Sequence, residues 1–202
     1  MAKYLSENEV GFDQSELGFP SISGCHAIVY VTADGLFGYH SYGGAERAQW
    51  PGRSAAFAGF VNNHAGGPGA GKLLYGVCYA TGNRGYGDTA PKQEWTGELT
   101  AFANALGYDG EIWGYDLTGS SIPSPAYVLY HRPAGTSCVI QVKAWNQADG
   151  ARGPNPSPNQ HQMIARRGSS VNPPTLGAAN NVVVTSVTTA GLRTVYPEKL
   201  RG

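Results

Sequence analysis

The chain of 202 residues is long enough to bury one sizeable core, and its length gives only weak ground for two. Fourteen Lys plus Arg balance fourteen Asp plus Glu, so no net field draws the chain to nucleic acid or an anionic membrane surface. An apolar content of 41% argues against disorder of the whole chain, while 29 glycines and 13 prolines imply many turns around short strands.

The stretch from Met1 to Asp13, with Lys3, Glu7, Glu9 and Asp13, reads as a polar leader without the apolar run of a secretory signal. No later run is long enough to span a bilayer. Next comes His26 to Thr32, dense in β-branched and aromatic residues, then Ala33-Asp34-Gly35 and Leu36 to His40, which together predict a hairpin. From Ser54 to Asn63, Phe57, Phe60 and Val61 recur at helical spacing, with Ser54 placed to cap a short helix and glycines from Gly66 to end it.

Lys72 to Ala80 reads as a buried strand. Thr89 to Leu106 is the strongest helix, with Asp88 or Thr89 as cap, Pro91 in the first turn and a stripe of Trp95, Leu99, Phe102, Ala103 and Leu106. Glu111 to Asp116 follows as a strand, and Tyr127 to His131 with Ser137 to Ala144 form two more around a loop containing Pro133 and Gly135. Residues 146 to 174 are rich in Asn, Pro, Ser and Gly, interrupted by His161 to Ala165, and read as a long loop or flap. Asn181 to Thr188 supplies a last strand, and Arg193 to Gly202 reads as surface. The expectation is one domain over residues 1–202 of α/β or α+β class: a mainly antiparallel sheet or sandwich flanked by two or three helices.

The three cysteines, Cys25, Cys78 and Cys138, are an odd number without a C-x-x-C pair, which argues against a disulfide framework and a zinc knuckle. Cys78 and Cys138 sit in apolar strands and read as core. His64, His131 and His161 show no ligand spacing, so no metal site is expected. Gly66 to Lys72 has glycines before a lysine but not the order of a phosphate loop, and reads as a plain loop. The four tryptophans and twelve tyrosines read mainly as packing.

Ser23-Gly24-Cys25, followed fifteen residues later by His40, is the segment with chemistry in it. A thiol becomes a nucleophile when an imidazole or preorganised amides favour its thiolate. Alternation in the hairpin puts Cys25 and His40 on one face. A two-residue turn at Asp34-Gly35 would pair His40 with Val29, roughly 13 Å from Cys25, whereas a turn centred between Thr32 and Ala33 would set the two opposite. A bulge near Ser23-Gly24 would also close the gap. Gly24 permits a tight backbone approach that points the Cys25 amide at a developing oxyanion. Candidates to orient the imidazole are the side chains of Ser21 or Ser23 or a carbonyl near Phe19. On residue types alone, a core cysteine and a hydrogen-bonded core histidine fit the same positions.

The run from Ser21 to His40 (SISGCHAIVYVTADGLFGYH) resembles the catalytic segment of the cytotoxic necrotizing factor family and related bacterial glutamine deamidases, including the chemoreceptor deamidases. The likeness covers about twenty residues. It implies a deamidase-like fold, Cys25 as nucleophile and His40 as base, with Ser23-Gly24 as the S-G before the nucleophile. Ile22 stands where Leu is usual, and Phe19 stands where some relatives carry the Thr that orients the base; in others that element is a main-chain carbonyl. The implied activity is a toxin- or effector-like hydrolase that converts a protein glutamine to glutamate through a Cys25 thioester, without a cofactor. Its partner would be a protein substrate, a host Rho-type small GTPase or a translation factor. The resemblance further implies synthesis in a bacterial cytoplasm without a cleavable signal, with secretion or delivery into a host cell. Transglutamination, a cysteine peptidase or amidase, and a non-enzymatic binding module with a structural Cys25 are the alternatives.

Overall fold

The computed structural model describes residues 3–133, 138–145, 164–166, 177–180 and 189–202. The strands are β1 (Lys3–Tyr4), β2 (Glu9–Asp13), β3 (Glu16–Ile22), β4 (His26–Thr32), β5 (Leu36–Ser41), β6 (Gly71–Cys78), β7 (Ile112–Asp116), β8 (Ala126–His131), β9 (Val139–Ala144), β10 (Ile164–Arg166), β11 (Gly177–Asn180), β12 (Arg193–Val195) and β13 (Glu198–Arg201). Two α-helices, α1 (Trp50–Asn62) and α2 (Pro91–Ala105), and a 3-10 turn at Arg47–Gln49 complete the set among the described residues. The strands form an eight-stranded sheet, ordered β11-β10-β2-β5-β4-β6-β7-β13, and a five-stranded sheet, ordered β1-β3-β8-β9-β12. Antiparallel pairs dominate both, and among the described residues neither closes into a barrel.

Alternation along β4 explains the layering, because every residue of this strand is buried and its two faces go to different cores. Ile28 and Tyr30 pack with Phe37, Tyr39 and Leu74 against Trp50, Phe57 and Phe60 of α1 and Trp95, Leu99 and Phe102 of α2. Ala27, Val29 and Val31 face the other way, onto Leu17, Phe19, Val128 and Tyr130 of the five-stranded sheet. The result is three layers, helices on sheet on sheet. β6, α2 and β7 form a parallel strand-helix-strand unit, with Leu74 paired to Ile112 and Cys78 to Asp116.

The expected hairpin and the expected strands at 72–80, 111–116, 127–131 and 137–144 have counterparts in β4–β5, β6, β7, β8 and β9. Both helices also form, with shifted starts. α1 begins four residues ahead of Ser54, because Pro51 fits the first turn and Trp50 is buried; Ser54 instead donates back to the Pro51 carbonyl at 3.1 Å. α2 begins at Pro91 after Ala90, and neither Asp88 nor Thr89 provides a side-chain cap.

The main correction lies at the start of the chain. The stretch read as a polar leader holds fully buried Tyr4, Leu5 and Val10 and forms β1 and β2, and β3 pairs antiparallel with β8. Residues 193–201 lie at the surface as expected, exposed or half-buried, and form two edge strands, β12 on β9 and β13 on β7. The strand expected at 181–188 and most of the loop expected at 146–174 lie outside the described residues. Among the described residues, no helix is long and apolar enough to cross a membrane.

Candidate functional site

The β4–β5 turn is the two-residue loop Ala33-Asp34, closed by the Thr32 amide donating to the Gly35 carbonyl at 2.9 Å and by the Asp34 amide donating to Thr32 Oγ1 at 3.2 Å. This register falls between the two anticipated ones and sets His40 opposite Ala27. Cys25, two residues before Ala27, therefore shares the His40 face as a diagonal neighbour, at roughly 7 Å between strand positions. The ladder irregularity lies in β3 between Phe19 and Ile22, where Ser21 adopts φ 61°, rather than at Ser23-Gly24.

His40 is fully buried, and its Nδ1 lies 2.7 Å from the Leu5 carbonyl. A carbonyl only accepts, so Nδ1 carries the proton and Nε2 is the bare nitrogen. That Nε2 has no hydrogen-bond partner. Burial, ahead of the opposing Leu5 bond, depresses the His40 pKa to about 4, so the ring is neutral. The orienting group is thus neither Ser21 nor Ser23 nor a carbonyl near Phe19. Phe19 contributes its ring, edge-on to the imidazole at 6.0 Å between centroids. Ser23 turns its hydroxyl to Ser124 Oγ at 2.9 Å, near Asn83 Nδ2 at 3.4 Å.

Cys25 is 5% exposed. Glu7 Oε1 accepts a long, weak contact from the thiol at 4.0 Å. Burial first and Glu7 second push the thiol up to about 11, against backbone hydrogen bonds from Gly43 and Ser23 and the charge of Arg84, which favour the thiolate. Burial also raises the Glu7 carboxyl. Cys25 and His40 therefore rest as a neutral thiol and a neutral imidazole.

Gly24 also anchors the segment through its main chain. Its carbonyl accepts from Arg84 Nη1 at 3.0 Å, and the same nitrogen bonds the Gly43 carbonyl, so one guanidinium ties together the backbone on both sides of the thiol. Arg84 is fully buried and pairs through Nη2 with Glu98 Oε1 at 2.5 Å. Burial opposes that charge, but Glu98 outweighs it and holds Arg84 above its ordinary pKa. Burial likewise works to raise Glu98, and Arg84 and then His26 overcome it and hold the carboxyl well below the usual range. Tyr86 donates to Glu98 Oε2, His26 Nδ1 lies 3.3 Å from the same oxygen, and Trp95 Nε1 donates to His26 Nε2 at 3.2 Å.

Sequence reading missed Leu5, Glu7, Arg84 and Glu98. Glu98 did leave a signal, a carboxylate three residues after Trp95 on the buried stripe of α2. The other candidates lie in packing or loop positions where they are described. Cys78 is fully buried, Cys138 is partly buried, and all three cysteines are free. His64 packs on Phe12 and Phe37, His131 lies 3.8 Å from Glu16, and His161 is outside the described residues. Gly66, Gly67 and Gly69 take positive φ in a loop that leads into β6 and not into a helix. Among the described residues no group of three His, Cys, Asp or Glu could hold a metal ion. The open depression along Lys92, Thr96 and Thr100 lies on the outer face of α2, across the eight-stranded sheet from Cys25.

No protein-family model matches the chain, and no curated protein matches it.

Proposed function

We propose that the chain is a cysteine-dependent amidohydrolase of deamidase-like fold that converts a glutamine side chain of a protein substrate to glutamate. The observation that carries this reading is His40: buried, held in one tautomer by the Leu5 carbonyl, with a bare Nε2 on the face it shares with Cys25. Cys25 Sγ attacks the carboxamide carbon while its proton passes to Nε2 of His40. The Gly43 and Ser23 backbone groups and the Arg84 charge favour negative charge beside the sulfur. The tetrahedral adduct then breaks its C–N bond as His40 returns the proton to nitrogen, and ammonia leaves. Water, deprotonated by His40, cleaves the thioester and restores the thiol. Because thiol and imidazole both rest neutral, proton transfer accompanies attack and no ion pair stands ready beforehand.

The resemblance of the Ser21 to His40 run to the necrotizing factors supports a host Rho-type GTPase as substrate and a toxin or effector role. Incubation with such a GTPase followed by peptide mass spectrometry tests the reaction. Deamidation adds about one dalton at a glutamine, transglutamination adds the amine, and peptidase action cuts the chain. Release of ammonia that persists in Cys25→Ser would overturn the mechanism. A second reading, a binding module with a structural Cys25, is favoured by the 5% exposure and raised pKa of the thiol. It requires that Cys25→Ser leave every activity of the chain intact.

A further inference from the structure

We propose that Glu7 is the specificity-determining residue of the Cys25 site, admitting a neutral primary carboxamide and turning away a carboxylate. The role rests on reading Cys25 as a nucleophile and adds to it a reason for one-way chemistry.

Residues 5–8, the connector from β1 to β2, serve both halves of the site. Leu5 gives its carbonyl to His40 Nδ1, and two residues on Glu7 sets Oε1 4.0 Å from Cys25 Sγ. The connector is pinned by the Leu5 amide donating to the Gly18 carbonyl at 2.8 Å, the Asn8 amide donating to the His40 carbonyl at 2.8 Å, and the Ser6 amide donating to Glu9 Oε2 at 2.7 Å. Asn8 completes the bend at φ 65°. Glu7 itself is half-buried, whereas Cys25 and His40 are almost or wholly enclosed, so Glu7 is the most solvent-accessible of the three residues.

The other charge that acts on the thiol, Arg84, has its guanidinium engaged by two carbonyls and Glu98. The free-facing charge at the sulfur is therefore negative. A carboxamide can donate its N–H to Glu7 while its carbon meets Sγ. A carboxylate of the same shape offers no donor and meets a like charge at close range. Once glutamine has become glutamate, the same repulsion expels the product, and free glutamate side chains do not occupy the site.

Two isosteric thiol reagents read this selectivity without a natural substrate: iodoacetamide, a neutral primary carboxamide, and iodoacetate, its carboxylate counterpart. The rates at Cys25 are followed by peptide mass spectrometry at pH 9 in folded protein, and their ratio is divided by the ratio for glutathione. Forming the ratio cancels the thiolate fraction, which differs between variants. Wild type is expected to favour iodoacetamide by about tenfold over glutathione, the size of one unit charge a few ångströms away in a partly wet site. In Glu7→Gln the preference falls to within about twofold of glutathione, and in Glu7→Lys it inverts. An inversion cannot come from loosened packing, so the lysine variant keeps the test informative if the glutamine variant is destabilised. An unchanged ratio in both variants overturns the role of Glu7 and leaves the nucleophile standing. Failure of both reagents to modify Cys25 in the folded chain overturns the nucleophile and the role together.

Discussion

The imidazole of His40 donates from Nδ1 to the carbonyl of Leu5, and the bond joins the centre of the eight-stranded sheet to a connector that starts in the five-stranded one. The tautomer of the buried ring is set by a main-chain atom, and no side-chain substitution removes that acceptor. Because Nε2 is left bare and the ring neutral, acid acts on His40 directly. Its folded pKa, about 4, lies below the ordinary value of 6.5, so between these values the unfolded chain binds the proton that the folded chain refuses. Stability therefore rises with pH from about 4 to 6.5 and is flat above, a span worth about 3 kcal/mol. Burial lowers His26 as well, against the pull of Glu98, and adds to the same trend. Urea midpoints measured at pH 4.5 and 7 are expected to converge partly in His40→Gln. Equal pH slopes in variant and wild type would refute the assignment. Amidase activity in the same variant drops at least about a thousandfold if Nε2 takes the thiol proton.

The thiol of Cys25 gives a second pH signature. With its pKa pushed up to about 11, roughly one molecule in a thousand carries the thiolate at pH 8. Iodoacetamide should modify Cys25 slowly at pH 8 and progressively faster up to pH 11. Glu7→Gln should shift that curve to lower pH by removing a like charge, yet leave it above the ordinary thiol value, because burial is the larger cause. Stopped alkylation with peptide mapping separates Cys25 from Cys138, whose thiol burial pushes up to about 12. A Cys25 profile centred near 8.5 would contradict the geometry.

Much of this arrangement was legible from sequence, and what was not has a common cause. The β4–β5 hairpin announced itself through β-branched runs around Ala33-Asp34-Gly35, and its alternation placed Cys25 and His40 on one face. The register escaped by one step, because Thr32 rather than Asp34 provides the polar side chain that closes the turn. β2 and β3 were hidden by their composition: Glu9 is fully buried but takes the Ser6 amide, and Gly18, Pro20 and Ser21 break the strand pattern around Leu17 and Phe19. Leu5 could not be foreseen as the orienting group, since every residue carries a carbonyl. Arg84 and Glu98 sit in a glycine-rich loop and on a helix, and only the fold reveals that they neutralise each other.

That pair sets a third prediction. Arg84 and Glu98 are both fully buried, so removing one partner strands a charge, and Glu98→Gln or Arg84→Met alone should cost about 3–5 kcal/mol in urea unfolding. The double variant should lose clearly less than the sum of the singles, because neither charge remains to be desolvated alone. Additive losses would show that Arg84 acts mainly through the Gly24 and Gly43 carbonyls. Loss of Arg84 also removes a charge that favours the thiolate, so where the single variant stays folded its Cys25 alkylation curve moves to still higher pH.

The remaining prediction concerns the helix-side wall of the same network. Gly76 lies where β6 passes beneath α2, and a methyl group there would sit 2.3 Å from His26 Nε2 and 2.8 Å from Leu99 Cδ1. His26 cannot retreat freely, since Nε2 accepts from Trp95 Nε1 and Nδ1 faces Glu98. Gly76→Ala should therefore destabilise the chain by about 1–3 kcal/mol, the usual cost of overpacking. At this chain length that is a fall of roughly 2–12 °C in Tm by calorimetry. Gly52→Ala, where nothing lies within 4 Å of the added methyl, serves as the control on an exposed helix position and should be neutral or stabilising. If Gly76→Ala instead matches Gly52→Ala, His26 is free to move, and the chain of contacts from α2 through Glu98 to the Cys25 backbone is looser than these distances require.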